Sequence, residues 1–185
     1  MKNILLNSKF WFIGNIKKYF PFLSNYIRST TSIITIDYKA QTVTKETIRY
    51  LHLNIVENEI KWLTILNDFI HTPNIISYDK NKLILSYAGK PLNYKNLPDD
   101  WQNQLNIILD KLKNINCSHN DIKPTDLLIF NNKIMLIDFQ WATKINDPIP
   151  EDWPSCIGGL YKNKDNFDDS YSIYKSINSI LKSKT

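Results

Sequence analysis

Residues 126–130 and 133–138 are two β-type runs, Asp-Leu-Leu-Ile-Phe and Lys-Ile-Met-Leu-Ile-Asp, separated only by Asn131 and Asn132. Asparagine tolerates the left-handed backbone of a two-residue hairpin turn, so this spacing predicts a hairpin of fixed register. Phe130 falls opposite Lys133, and Asp126 opposite Ile137. Paired strands lie about 5 Å apart, so Asp126 and Asp138 leave the hairpin at the same end. Asp121 lies on the loop that feeds that end. Three carboxylates brought together repel unless a cation sits among them or one holds a proton. Such oxygens suit Mg²⁺, which takes one or two carboxylates plus substrate phosphates. The plainer alternative is three aspartates that cap turns and point apart, and the residues alone leave both open.

The rest of the chain predicts short strands and amphipathic helices. Strands are expected over 25–28, 32–38 and 41–48, the last two joined by a tight Lys39-Ala40 turn, and over 75–78 and 82–87 around Asp79, Lys80 and Asn81. Apolar residues at three- and four-residue steps predict helices over 54–70 and 99–115, and a last helix carrying Ile173, Ile177, Ile180 and Leu181. A proline-marked connector runs from Gly89 to Pro98. The order, strands with one helix and then mostly helix with a hairpin, predicts a two-lobed α+β chain. A further helix is expected over 8–19, ended by Pro21. It is basic and aromatic, and two readings stay open: packing against the following part, or peripheral contact of residues 1–22 with an anionic membrane surface.

Charge excludes one class of partner. The chain of 185 residues carries a formal charge of +5, but five of its 23 basic residues lie in 1–30, where no acid occurs, which leaves 18 against 18 acidic residues. Arg28 and Arg49 are the only arginines, and arginine is the usual reader of phosphate and base edges. A nucleic-acid surface is not expected. Cys117 and Cys156 are far apart and lack CxxC spacing, which argues against a disulfide framework or zinc site and fits a reducing, cytoplasmic setting. No stretch reaches the roughly 18 apolar residues of a membrane span.

The segment His119-Asn120-Asp121-Ile122-Lys123-Pro124-Thr125-Asp126-Leu127, with Asp138-Phe139 after it, resembles the catalytic loop and metal motif of the protein-kinase-like superfamily, HRDLKPEN followed by DFG. The His-Asn-Asp spelling is similar to choline and aminoglycoside kinases, Lys123-Pro124 to Ser/Thr protein kinases, and Asp138-Phe139-Gln140-Trp141-Ala142 to lipopolysaccharide kinases. The resemblance implies a two-lobed protein-kinase-like fold with a truncated C-lobe: an N-terminal helix in 1–23, an N-lobe in 24–88 and a C-lobe in 89–185. It implies ATP and Mg²⁺ (or Mn²⁺), with Asp121 and Lys123 catalytic and Asp126 and Asp138 on the metal. Lys45, on the strand face it shares with Val43, would meet the phosphates and pair with Glu59; Glu57 is the rival. Leu85, Ser86, Tyr87 and Ala88 would form the gate and hinge beside adenine, and Asp169 would hold the catalytic loop from beneath. The implied acceptor is a hydroxyl: Ser/Thr of a protein first, then a sugar, lipid head group or small molecule.

Three departures matter. No glycine stands between the first two strands, where Ser29, Thr30, Thr31 and Ser32 could offer hydroxyls to phosphate instead. Asp126 replaces the loop's metal-binding Asn. Gln140 replaces the glycine of DFG, and the chain ends about one helix after Asp169. An active kinase and a pseudokinase that binds or scaffolds are the two readings this leaves.

Overall fold

Alternating side chains and polar turns build the largest of the three sheets found among the described residues. The computed structural model describes residues 26–29, 31–155, 157–158 and 167–183; the predicted 8–19 helix lies outside them. Strands β1 (Tyr26–Arg28), β2 (Ser32–Asp37), β3 (Thr42–Thr47), β4 (Ile75–Asp79) and β5 (Lys82–Ser86) form an antiparallel sheet in the order β1-β2-β3-β5-β4. The β2–β3 connection spans 38–41 rather than a two-residue turn. Asp37 Oδ1 accepts the amides of Lys39 and Ala40, both at 2.9 Å, and Gln41 takes φ 53° to close it.

Helix α1 (Ile55–Ile65) crosses from β3 to β4 and buries Ile55, Val56, Glu59, Trp62 and Leu63, one face of a helix. It stops five residues before the predicted end, because Asp68 adopts φ 63° and breaks the repeat. After β6 (Lys90–Pro91), helix α2 (Trp101–Asn114) buries Gln104, Leu105, Ile108 and Leu112. At 14 residues it is marginal alone, so burial holds it. Two short pairings that the sequence did not suggest follow: β7 (Cys117–Ser118) with β10 (Thr143–Lys144), and β6 with β8 (Leu127–Phe130). Gly89 permits the second, since at φ 101° a Cβ there would run into the Ile129 carbonyl.

The hairpin of β8 and β9 (Lys133–Leu136) has the predicted register, Phe130 opposite Lys133, with Asn131 and Asn132 at φ 49° and 62°. Its strands are shorter than predicted. Asp126 closes a 3-10 turn, Pro124–Asp126, and Asp138 stands at φ 72° before another, Phe139–Trp141. Helix α3 (Asp169–Lys182) begins where the Asp168 side chain accepts the Tyr171 amide at 3.0 Å. Buried residues from the sheet, α1, the hairpin, α2 and α3 form one continuous cluster. Among the described residues no helix is long and apolar enough to cross a membrane.

His71 ties the chain after α1 to β9. Its Nδ1 donates to the Ile134 carbonyl at 2.7 Å, and its own carbonyl accepts the Leu136 amide at 2.8 Å. Burial lowers its pKa below the ordinary histidine value. The folded state therefore resists protonation, and the stability this gives is present above the unfolded pKa and lost as pH falls through that value toward the folded one. Denaturant titrations at pH 7.5 and 5.5 should show a smaller acid loss in His71→Asn, whose amide can make the Nδ1 bond, than in the wild type. Equal losses would contradict this.

Candidate active site

The site forms where β3, α1, the loop after β7 and the end of the hairpin meet. Lys45, on the inward face of β3, reaches Glu59 of α1 at 2.8 and 2.9 Å and Asp138 Oδ1 at 2.6 Å. Glu59 is buried and Glu57 exposed, so the rival glutamate has no part in this pairing. Burial alone would push the Lys45 ammonium toward neutrality, but Asp138 and Glu59 outweigh it and raise its pKa. Burial raises Glu59 to about 6 against the pull of Lys45. Burial also works to raise Asp138, yet Lys45 and Lys123 hold its pKa below the usual carboxylate value.

The second group is set by the loop 119–126. Asp169, at the start of α3, accepts the backbone amides of His119 at 2.7 Å and Asn120 at 3.1 Å. The His119 Nε2–H donates to the Ile137 carbonyl at 3.0 Å, which fixes the tautomer, and among the described residues its buried Nδ1 has no hydrogen-bond partner. Asn120, at φ 67°, donates to the Trp141 carbonyl at 2.7 Å. Asp169→Ala would leave two amides unmatched and should cost about 2–4 kcal/mol in urea unfolding, with Asp169→Asn recovering part of it. A loss below about 0.5 kcal/mol would contradict this role.

Two lysines separate the three aspartates: Lys45 pairs with Asp138, and Lys123 with the other two. The Lys123 ammonium lies 2.5 Å from Asp121 Oδ2 and 3.2 Å from Asp126 Oδ2. Burial opposes its charge, but Asp126, Asp138 and Asp121 outweigh that and raise its pKa. Burial pushes Asp126 up to about 8 despite Lys123, with Asp138 and Asp121 adding to the rise. The other oxygen of Asp121 accepts the Gly158 amide at 2.6 Å.

The residues expected beside adenine line one end of β3 and β5. Val43 pairs with Leu85 in register, and Leu85 and Ala88 are buried. The Tyr87 ring meets Tyr38 and Phe130 edge-on at 5.6 and 5.8 Å. Two of these groups are engaged inside the protein: the Ser86 hydroxyl accepts the Asn74 amide and the Tyr87 amide donates to Gln41, both at 2.9 Å.

Hydroxyls between β1 and β2 that could meet phosphate are engaged within the protein. Ser29 Oγ caps Ser32, accepting its amide at 2.9 Å, and Thr31 and Ser32 turn inward to each other at 3.2 Å; Thr30 lies outside the described residues. Buried hydroxyls satisfy one another here, as buried polar groups require. Sequence reading also missed Asn58, whose Nδ2 donates to the carbonyls of Gln140 at 3.0 Å and Ala142 at 2.8 Å, and Gly158. No periodicity marks such contacts, which join residues 37 to 84 positions apart.

No family model and no curated protein matches the sequence. Solved structures do match the fold. The Rio2 kinase from Chaetomium thermophilum, in its ADP/Mg²⁺-phosphoaspartate complex, superposes with a TM-score of 0.51 at 17% identity, over 68% of this chain and 49% of that one. The fold is kinase-like. Monomeric WbdD gives a TM-score of 0.49 at 15% identity, over 62% of this chain and 33% of that one. The chain thus spans half or less of the length of either structure.

Proposed function

We propose that the protein is an ATP-dependent phosphotransferase that moves the γ-phosphoryl group to a hydroxyl, with Ser/Thr of a protein as the first acceptor class and a saccharide, lipid or small-molecule hydroxyl as the second. The observation that carries this is the pair of linked charge clusters, Lys45 with Glu59 and Asp138 beside Lys123 with Asp121 and Asp126. In this assignment residues 24–88 and 89–185 act as two lobes around the nucleotide. Val43 and Leu85 to Ala88 meet the adenine, and Lys45, oriented by Glu59, meets the phosphates. In this reading the activity is assigned to the cytoplasm, where ATP is the ordinary phosphoryl donor.

Among the described residues no three His, Cys, Asp or Glu side chains form a ready metal cage. The donor set nonetheless fits Mg²⁺, which takes one or two carboxylates and completes its shell with water and phosphate oxygens. Asp126, held near 8 by burial and by its carboxylate neighbours, sits where added positive charge would favour ionisation. Asp126 and Asp138 would hold the ion, which when bound neutralises phosphate charge.

The chain's own residues supply the rest. Asp121 orients the acceptor hydroxyl and takes its proton as the new O–P bond forms and the bond to the β-phosphate oxygen breaks, leaving ADP. Lys123 offsets charge on the group in transfer. The acceptor hydroxyl must lie beside the Asp121 oxygen that Gly158 now contacts. Incubation of a cell extract with γ-labelled ATP, Mg²⁺ and the protein, followed by separation into protein, lipid and saccharide, tests this. Label in the protein fraction is expected; label in another fraction changes the acceptor, and none at all favours a nucleotide-binding scaffold.

A further inference from the structure

Gln140 stands where the resemblance expects glycine, and the phosphotransfer scheme leaves it without a role. Its side chain is fully buried. Oε1 accepts from the Thr31 hydroxyl at 2.8 Å, and Nε2 donates to Thr47 Oγ1 at 3.3 Å. Ser32 Oγ lies 3.2 Å from Thr31 Oγ1 and 3.3 Å from Thr47 Oγ1. The four side chains thus close a ring of hydrogen bonds, all of them buried. Two further ties hold the ring in place. The Thr31 carbonyl accepts the amides of Ile48 at 2.9 Å and Arg49 at 3.2 Å, and the Gln140 carbonyl accepts Asn58 Nδ2 at 3.0 Å. One residue therefore fastens the Phe139–Trp141 turn to the start of β2, the end of β3 and helix α1.

A methionine would fill the same volume, so packing alone does not call for an amide. A satisfied polar ring instead selects one arrangement, because any shift strands buried donors and acceptors. The turn needs such a selection. Asp138, two residues before Gln140, holds φ 72°, a left-handed conformation that aspartate tolerates but that is less favourable than extended backbone, so contacts around the turn decide whether it persists.

We propose that Gln140 is a positioning residue: its ring with Thr31, Ser32 and Thr47 locks the 138–141 turn to the sheet and so keeps the Asp138 carboxylate at Lys45. The consequence for turnover rests on the phosphotransfer reading; the lock itself does not. A site organised in advance binds with its full affinity, whereas a turn that is in place only part of the time reduces apparent affinity by that fraction.

The test compares wild type, Gln140→Met, which keeps volume and removes both bonds, Thr31→Val, which removes the shorter one from the other side, and the double variant. Amide hydrogen exchange over 138–142 is expected to quicken about tenfold in Gln140→Met and by a smaller factor in Thr31→Val, with α2 amides unchanged. The double variant should be no faster than Gln140→Met alone. In MgATP turnover any change should appear in KM, rising as the reciprocal of the fraction of time the turn is in place, at little-changed kcat, whereas mere loss of folded protein lowers apparent kcat and leaves KM alone. Unchanged exchange in Gln140→Met, or effects of the two substitutions that simply multiply, would overturn the proposal. A wild type without turnover removes the phosphotransfer reading only, and exchange then decides the lock by itself.

Discussion

Lys45→Met should be the most destabilising single change in the charged centre, at about 3–5 kcal/mol in urea unfolding at pH 8. The substitution removes the cation that faces Glu59 at 2.8 Å and Asp138 at 2.6 Å and leaves both carboxylates in place. Glu59 lies among the buried residues of the apolar face of α1 and is 1% exposed. Its pKa is already raised to about 6, first by burial, and without Lys45 it rises further. A carboxyl whose folded pKa lies above its unfolded value adds stability at low pH that is lost as pH rises through the folded value. The deficit of Lys45→Met should therefore be smaller at pH 6 than at pH 8. Adding Glu59→Gln should restore part of the loss, since a neutral amide is far cheaper to bury than a lone charge. A loss below about 1 kcal/mol, or one that grows on acidification, would contradict this picture.

The second large effect belongs to Asp121. Asp121→Asn should lower the rate of phosphoryl transfer about 10²–10⁴-fold, the usual contribution of a positioned base. The change is nearly isosteric, and the amide oxygen can still accept from Gly158, which now sits at 2.6 Å. Lys123 keeps its contact with Asp126 at 3.2 Å, so the loop retains most of its supports. On the proposed assignment, which gives Asp121 to the acceptor hydroxyl rather than the nucleotide, the KM for ATP should change by less than about threefold. Steady-state kinetics on protein shown to be folded by circular dichroism checks this. An unchanged kcat would remove Asp121 from the chemistry, and a large rise in KM would move it to the nucleotide.

How much of this was legible beforehand depended on whether the information was local. The two asparagines fixed the hairpin register because a two-residue turn leaves no slack, and Asn131 and Asn132 are both left-handed as that turn demands. Glu59 could be preferred over Glu57 because helical spacing sets it among Trp62, Leu63 and Leu66. The identity of the cation among the aspartates was not legible. Spacing brought the carboxylates to one end, but whether a proton, a metal or a lysine neutralises them depends on where the Lys123 chain points. The early end of α1 was also hidden, since Asp68 reads as an ordinary polar helix residue until its φ of 63° is seen. Least legible of all was the ring around Gln140. It joins Thr31 to a residue 109 positions later, through groups that in a sequence look like solvent-facing threonines and serines.

The most direct test of the central claim needs no knowledge of the acceptor. ADP formation from ATP can be followed with the intact chain, with and without Mg²⁺, because water serves as a slow acceptor when the proper hydroxyl is missing. Wild type should form ADP in a Mg²⁺-dependent manner, and Asp121→Asn should fall to background. If wild type binds ATP yet forms ADP no faster than Asp121→Asn in either condition, the two charge clusters bind a nucleotide without transferring its phosphate, and the phosphotransferase assignment is wrong.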